Sequence, residues 1–207
     1  MGGTAELFPE LGQEQEPLTP AGFRYQEKVI TAAEETTLAA ALQKLDLKPF
    51  EFQGHLANRR VISFGLRYDY GRRRVEAASE FPSFIDELRV KAAEFAGRGV
   101  NEFRQAGVNE YGPGAGIGWH KDKAQFGIIV GVSLLAPATM RFRRTQDQGW
   151  ARVSKTIAPR SMYLLSGEAR MEWEHSIPPL DELRYSITFR TLSDHDSLAK
   201  GQGFQWE

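Results

Sequence analysis

The sequence predicts a single α+β domain, with helices first and then a β part that is a sandwich or jelly roll. Two helical patterns fill the first half of the chain, before Gly97. Beyond Gly97 six short β-type runs follow at close intervals, several of them separated by Gly or Pro. A length of 207 residues, 41% of them hydrophobic, is enough to bury one real core.

Residues 1 to about 20 are rich in Gly, Pro, Glu and Gln and show no periodicity, so a flexible tail is expected, with the domain over 21–207. Val29 and Ile30 suggest a short strand. Thr31 and Glu34 form a T-x-x-E capping box ahead of Leu38, Ala41, Leu42 and Leu45, which predicts a helix that Pro49 ends. Residues 50 to 70 are rich in Phe, Tyr, Val and Gly and read as strands or a hairpin-like cover. Pro82 opens a second helix, with Phe84, Ile85, Leu88, Ala92 and Phe95 at helical spacing and Gly97 as its stop. The β runs are Val108–Tyr111, Ile128–Leu135, Thr139–Arg143, Ser161–Leu165, Met171–Ser176 and Tyr185–Thr191. No internal repeat or low-complexity tract interrupts them.

Composition removes several function classes. The chain has no cysteine, which excludes disulfides, thiolate zinc sites and cysteine nucleophiles and is compatible with a reducing cytoplasm. No apolar run approaches membrane-spanning length, and no basic segment followed by an apolar stretch opens the chain. A cytoplasmic monomer with no membrane contact and no obligate protein partner is therefore expected. A net charge of −1 gives no global support for nucleic-acid binding. Locally, Arg59, Arg60, Arg67, Arg72, Arg73 and Arg74 face one acid, Asp69, for a net of +5, with Phe64, Tyr68 and Tyr70 interleaved. Cations among aromatics suit phosphate contact and base stacking, and they also suit a solvated strand edge.

His120 and Asp122 are two apart, so in an extended segment both side chains leave one face and can reach one ion. A loop histidine beside a solvated aspartate explains the pair equally well on its own. His175 adds a third ligand type on a separate, strand-like segment, where a hydrogen-bonded core histidine is the plainer reading. His55 and His195 lack partner spacing and read as surface residues. Two imidazoles and a carboxylate are the ligand set of non-haem Fe(II) oxygenases, which leave coordination positions free for a co-substrate and O₂. In Arg184–Arg190 the alternation is strict: Arg184, Ser186, Thr188 and Arg190 share one face, and Tyr185, Ile187 and Phe189 share the other. A polar face with two arginines on an inner strand is costly unless anions meet it, and forked guanidinium bonds suit a dicarboxylate. The two arginines are roughly 20 Å apart at strand rise, so both must lean inward to serve one small ligand; a wet edge strand is the alternative. The run Gly112-Pro-Gly-Ala-Gly-Ile-Gly118 lacks the lysine and spacing of a P-loop and reads as a tight turn presenting Trp119 and His120.

The stretch Asn109-Glu-Tyr-Gly-Pro-Gly-Ala-Gly-Ile-Gly-Trp-His-Lys-Asp122, followed by Val132-Ser-Leu, Ser166-Gly-Glu-Ala-Arg170, Trp173-Glu-His175 and Arg184-x-Ser-x-Thr-Phe-Arg190, closely resembles the AlkB family of Fe(II)- and 2-oxoglutarate-dependent dioxygenases. The likeness covers roughly residues 50 to 192, and the order and spacing of its motifs are more specific than any one of them. It implies a double-stranded β-helix (jelly-roll) core over about 100–192, with N-terminal helices and a nucleotide-recognition lid over about 50–80. It implies His120, Asp122 and His175 as iron ligands, and Asn109, Tyr111, Arg184, Ser186 and Arg190 around 2-oxoglutarate. Arg60 and Arg141 would then contact phosphate, Arg143 and Arg144 could do so too, and Tyr68 or Tyr70 would stack a flipped base. Many base-repairing relatives carry an acidic residue two or three positions after the metal aspartate; this chain has Ala124 and Gln125.

The activity implied is oxidative dealkylation of alkylated bases in DNA or RNA, using Fe(II), 2-oxoglutarate and O₂ and releasing the alkyl group as an aldehyde. Two alternatives stay open. One is the same chemistry as a hydroxylase or demethylase of tRNA, protein or a small molecule. The other is a non-catalytic nucleic-acid-binding module.

Overall fold

A computed structural model describes residues 19–52 and 54–193, and of Phe52 and His55 the backbone only. The expectations for the N-terminal tail and for His195 lie outside the described residues. The first strand is β1 (Phe23–Gln26), not Val29-Ile30, which form a bend after Lys28 turns into the left-handed region at φ 57°. Helix α1 (Ala32–Leu42) starts as its capping box predicts: Thr31 Oγ1 accepts from Glu34 N–H at 3.2 Å, and Thr31 N–H donates to the Glu34 carboxylate at 2.6 Å. It ends at Leu42, well before Pro49. Pro49 instead lies in β2 (Lys48–Phe52), the outermost strand of its sheet, where the missing N–H costs no ladder bond.

Strand β3 (His55–Phe64) pairs with β2, and β4 (Leu66–Asp69) with β5 (Arg74–Ala77) forms a separate two-stranded ribbon. Segment 50–80 is built of strands, as its composition suggests, with β2 and β3 extending the main sheet and β4 and β5 standing apart from it. Helix α2 (Asp86–Ala96) follows a short 3₁₀ turn at Ser83–Ile85. It closes on Gly97 at φ 65°, with the Arg98 N–H donating to Ala93 C=O at 3.0 Å.

Eight strands make the jelly roll: β6 (Phe103–Tyr111), β7 (Ile117–His120), β8 (Phe126–Leu135), β9 (Ala138–Thr145), β10 (Trp150–Ile157), β11 (Ser161–Leu165), β12 (Glu174–Ile177) and β13 (Arg184–Leu192). A seven-stranded sheet has the order β1-β11-β8-β13-β6-β3-β2, and it faces a four-stranded sheet of order β10-β9-β12-β7. The eight strands divide equally, β6, β8, β11 and β13 in the larger sheet and β7, β9, β10 and β12 in the smaller, with the β9–β10 hairpin between the two halves; this is the double-stranded β-helix. Three details differ from the sequence expectation. Met171 ends a short helix, α3 (Gly167–Met171), so β12 begins only at Glu174. Part of the glycine-rich run is itself strand β7, and a Cβ on Gly116 would lie 2.7 Å from Ile177 C=O, which explains a glycine there. Strand β10 is at the edge of the smaller sheet; its inner face, Ala151, Val153 and Ile157, is interrupted by Lys155, which weakens the apolar alternation that would announce it.

The large sheet is buried on both faces. Leu38 and Leu42 of α1 and Leu88 and Ala92 of α2 pack on its outer face against Val108, Val132, Tyr185, Ile187 and Phe189. Burying a side chain such as Phe189 contributes about 1.5–3 kcal/mol. Between the sheets, Phe23, Ile129, Met140, Phe142, Ile157, Tyr163 and Leu165 form a second core that closes one end. The polar residues of β13 face this inter-sheet space.

Candidate active site

The antiparallel register of β7 and β12 sets His120 directly opposite His175, and their ring centroids are 4.3 Å apart. Asp122, two residues beyond His120, brings Oδ2 to 3.4 Å from His175 Nε2. The ligand atoms of all three residues lie within 4.8 Å of one another, so two distant segments meet at one point. His120 Nδ1 is 2.8 Å from Gly118 C=O, which fixes the proton on Nδ1 and leaves Nε2 free to donate a lone pair to a metal. Burial pushes the His175 pKa down to about 3, so its imidazole stays neutral. Burial opposes ionisation of Asp122, but the Arg190 guanidinium leads the neighbouring charges that hold its carboxyl below the ordinary range. Neutral imidazoles and an ionised carboxylate are the protonation states a divalent metal requires.

The loop carrying Asp122 is held by a residue the sequence reading named only within a motif. Arg170, on α3 and buried, donates to the carbonyls of Lys123 and Phe126 at 2.6 Å each, Gly127 at 3.0 Å and Asp122 at 3.3 Å. Four carbonyls on one guanidinium pin the turn that sets the Asp122 side chain. An arginine on a five-residue helix gives no local sign of this task.

Strand β13 lies between β6 and β8, so its polar face is an inner one. The register puts Tyr111, Asn109 and Gln105 beside Arg184, Ser186 and Arg190, with Ser133 on the other side of Ser186. The two arginines do not converge. Arg190 donates from Nη2 to Asp122 Oδ1 at 2.9 Å and from Nη1 to Gln105 Oε1 and Thr188 Oγ1 at 2.8 Å each. Arg184 is fully buried, 5.2 Å from the Tyr111 ring, and its Nε donates to Ser133 Oγ at 3.0 Å. Its Nη1 and Nη2 have no partner among the described residues. A buried guanidinium with its fork unsatisfied is costly unless an anion completes it, and a carboxylate matches that fork. The donor set therefore fits both a metal at the triad and a carboxylate co-substrate behind it.

Above the triad is a cleft of about 170 Å³. Its lining includes His120, Asp122, Asn109 and Arg190, together with Tyr68 and Tyr70 from the ribbon side. The two tyrosine rings meet edge to face at 5.1 Å, and Phe50 meets Tyr70 at 5.6 Å. Arg60 and Arg141 are not in this cleft. Arg60 makes a two-pronged ion pair with Glu110 at 2.7 and 2.8 Å, on the face where the Tyr185 hydroxyl also donates to Glu110. Its neighbour Arg59 lines the cleft instead. Arg141 lies on the outer face of the smaller sheet, near Trp119 and Ser176, because Met140 and Phe142 take the interior. Arg143 and Arg144 are already paired, with Glu174 and with Glu168 and Glu172.

Comparison with known proteins agrees with this geometry. Residues 13–190 match the 2OG-Fe(II) oxygenase superfamily model. The chain belongs to the 2OG-Fe(II) oxygenase superfamily. It is 33% identical to the "Alkylated DNA repair protein ALKBH8 homolog" of Arabidopsis thaliana, over 83% of this chain and 58% of that protein. It is 28% identical to the "tRNA (carboxymethyluridine(34)-5-O)-methyltransferase ALKBH8" of Mus musculus, over 83% of this chain and 26% of that protein. The chain thus spans little more than half of the one and about a quarter of the other. The structure of OsALKBH1 superimposes with a TM-score of 0.60 at 16% identity, covering 86% of this chain and 99% of that one. A Pseudomonas putida prolyl-4-hydroxylase gives 0.57 at 14%, covering 83% and 93%, so the fold alone does not choose the substrate. The chain is an Fe(II)- and 2-oxoglutarate-dependent dioxygenase, and the curated proteins it is similar to include ones named as AlkB homologues. No helix among the described residues is long and apolar enough to cross a membrane.

Proposed function

We propose that this 2OG-Fe(II) oxygenase oxidises an alkyl group on a nucleic-acid base and releases it as an aldehyde. His120, Asp122 and His175 hold Fe(II). Arg184 takes the far carboxylate of 2-oxoglutarate through Nη1 and Nη2, with Tyr111, Asn109 and Ser186 beside it. Arg190 keeps Asp122 ionised and oriented at the other end. When bound, iron with 2-oxoglutarate and O₂ supplies the oxidising power: the keto acid leaves as succinate and CO₂, and one oxygen atom enters a substrate C–H bond. An N-methyl group becomes N-hydroxymethyl, which breaks its N–C bond to give formaldehyde and the unmodified base. The chain's own residues position the base: Tyr68 and Tyr70 offer ring faces at the cleft, and the ribbon that carries them covers it.

The cleft carries the substrate half of this reading, because it sets paired tyrosines and cations directly above the triad. The test is formaldehyde release from methylated oligonucleotides incubated with protein, Fe(II), ascorbate and 2-oxoglutarate. Release stoichiometric with succinate supports the reading; steady 2-oxoglutarate consumption with every oligomer intact refutes it. A second reading is oxidation of a tRNA base that keeps its new hydroxyl; only its substrate class, tRNA, has support from the mouse relative, which is named as a tRNA methyltransferase. Such oxidation would add one oxygen to the tRNA and release no formaldehyde.

A further inference from the structure

The charge of the cleft has a direction. Among its lining residues the cations are Arg59, Lys121, Lys123 and Arg190, and the one carboxylate is Asp122. Asp122 is already engaged by Arg190 and by the triad. The charge of a metal at the triad would be offset by the 2-oxoglutarate dianion, so the positive balance that a group entering above it meets comes from Arg59, Lys121 and Lys123.

The hydrogen-bonding inventory points the same way. Arg59 is 8% exposed and stacks its guanidinium on Phe50 at 3.8 Å. For five N–H groups it makes one hydrogen bond among the described residues, a long one of 3.4 Å to Asn109 Oδ1. Lys123 sets its ammonium 5.2 Å over the Tyr68 ring and 4.7 Å over Tyr70, beside the surface where a base would stack. Of the amide acceptors nearby, Asn109 Oδ1 already receives Arg59 and Gln105 Oε1 receives Arg190. The cleft is therefore rich in donors and positive.

We propose that the cleft selects a neutral, oxygen-rich base, an N3-alkylated uracil or thymine, over a cationic N-alkylated adenine or cytosine. Alkylation at adenine N1 or cytosine N3 uses the ring lone pair and leaves the base positively charged, with an exocyclic nitrogen that donates. An N3-alkyl uracil is uncharged and offers two carbonyl oxygens and no ring or exocyclic donor. Arg59 and Lys123 can serve those oxygens, whereas a cation would be pressed against like charges in a partly dehydrated site. This inference rests on the nucleobase reading above.

The test uses two single-stranded DNA oligomers identical except for one base, 3-methylthymine or 3-methylcytosine. The iron-loaded full chain acts on each, and kcat/KM is read from formaldehyde release. The neutral base should be favoured at least about tenfold. Lys123→Glu should narrow that ratio severalfold and Lys123→Gln should do so less; a ratio is insensitive to the fraction of variant that folds. Equal or better oxidation of 3-methylcytosine, or a ratio unmoved in Lys123→Glu, overturns the charge argument and leaves the nucleobase reading standing. Oxidation of neither oligomer, with 2-oxoglutarate still consumed, overturns both.

Discussion

Replacing Arg184 with Met separates the two tasks a buried arginine can have. In the ligand-free protein its Nη1 and Nη2 have no partner among the described residues, and the side chain is fully buried. An unsatisfied buried polar group costs about 1–3 kcal/mol. The substitution removes the charge and both orphan groups and loses one bond, Nε to Ser133 Oγ, worth about 1 kcal/mol. Methionine of similar length fills the space. The ligand-free variant should therefore be as stable as the parent, or more stable by up to about 4 kcal/mol. With 2-oxoglutarate the sign reverses. Loss of a desolvated guanidinium–carboxylate fork costs about 3–5 kcal/mol, a drop in keto-acid affinity of roughly a hundred- to several-thousand-fold. Thermal melts of both proteins, with and without 2-oxoglutarate and with Mn(II) in place of iron, read both quantities. The parent should gain melting temperature with the keto acid and the variant should not. A variant clearly less stable than its parent in the ligand-free state, yet binding 2-oxoglutarate with parental affinity, would refute the reasoning.

Asp122→Ala should abolish 2-oxoglutarate turnover and weaken Mn(II) binding in equilibrium dialysis, while far-UV circular dichroism stays native. It should also lower stability by about 3 kcal/mol, since Arg190 loses a buried carboxylate; turnover at the parental rate would exclude the triad as the metal site. Gly131→Ala puts a Cβ 2.1 Å from the Tyr163 ring, so Tyr163 must leave the inner face beside β13. A lower melting temperature and a raised KM for 2-oxoglutarate are expected, and unchanged values would show that the ring shifts at no cost. Thr31 N–H, the Thr31 hydroxyl and Lys91 hold the Glu34 carboxyl at about 2, below its ordinary 4.5. A depressed carboxyl pKa stabilises the fold above the unfolded value and is lost as pH falls. The stability difference between the parent and Glu34→Gln should thus be constant above about pH 5 and vanish toward pH 2 in denaturant titrations.

Much of the site was legible because it obeys local rules. The i, i+2 spacing of His120 and Asp122 suggested that both reach one point, and they do, although Asp122 lies in the loop after β7; the strict alternation of Arg184–Arg190 marked an inner polar face, which β13 has. The capping box of α1 and the Gly97 stop of α2 are chemistry within a few residues of chain, and both are present. Misplaced features have physical reasons too. Pro49 could not be told from a helix stop, because only the sheet reveals that β2 is an outermost strand. Arg59 and Arg60 are neighbours, and the phase of a period-two strand decides which enters the cleft. That phase is set by the pairing of β3 with β6, where Arg60 meets Glu110. The same phase rule puts Arg141 on the outer face, because Met140 and Phe142 turn inward.

The sequence by itself determined the pairing of His120 with Asp122, the polar face of β13 and the helix boundaries that carry caps, because each depends on bonding or periodicity within a single segment. Only the tertiary structure decided that His175 stands opposite His120, that Arg184 ends with its fork empty and Arg190 on Asp122, and that Arg170 holds the Asp122 loop. Those facts depend on strand order and register between segments dozens of residues apart, and the free energy that fixes them lies in the shared core between and outside the two sheets.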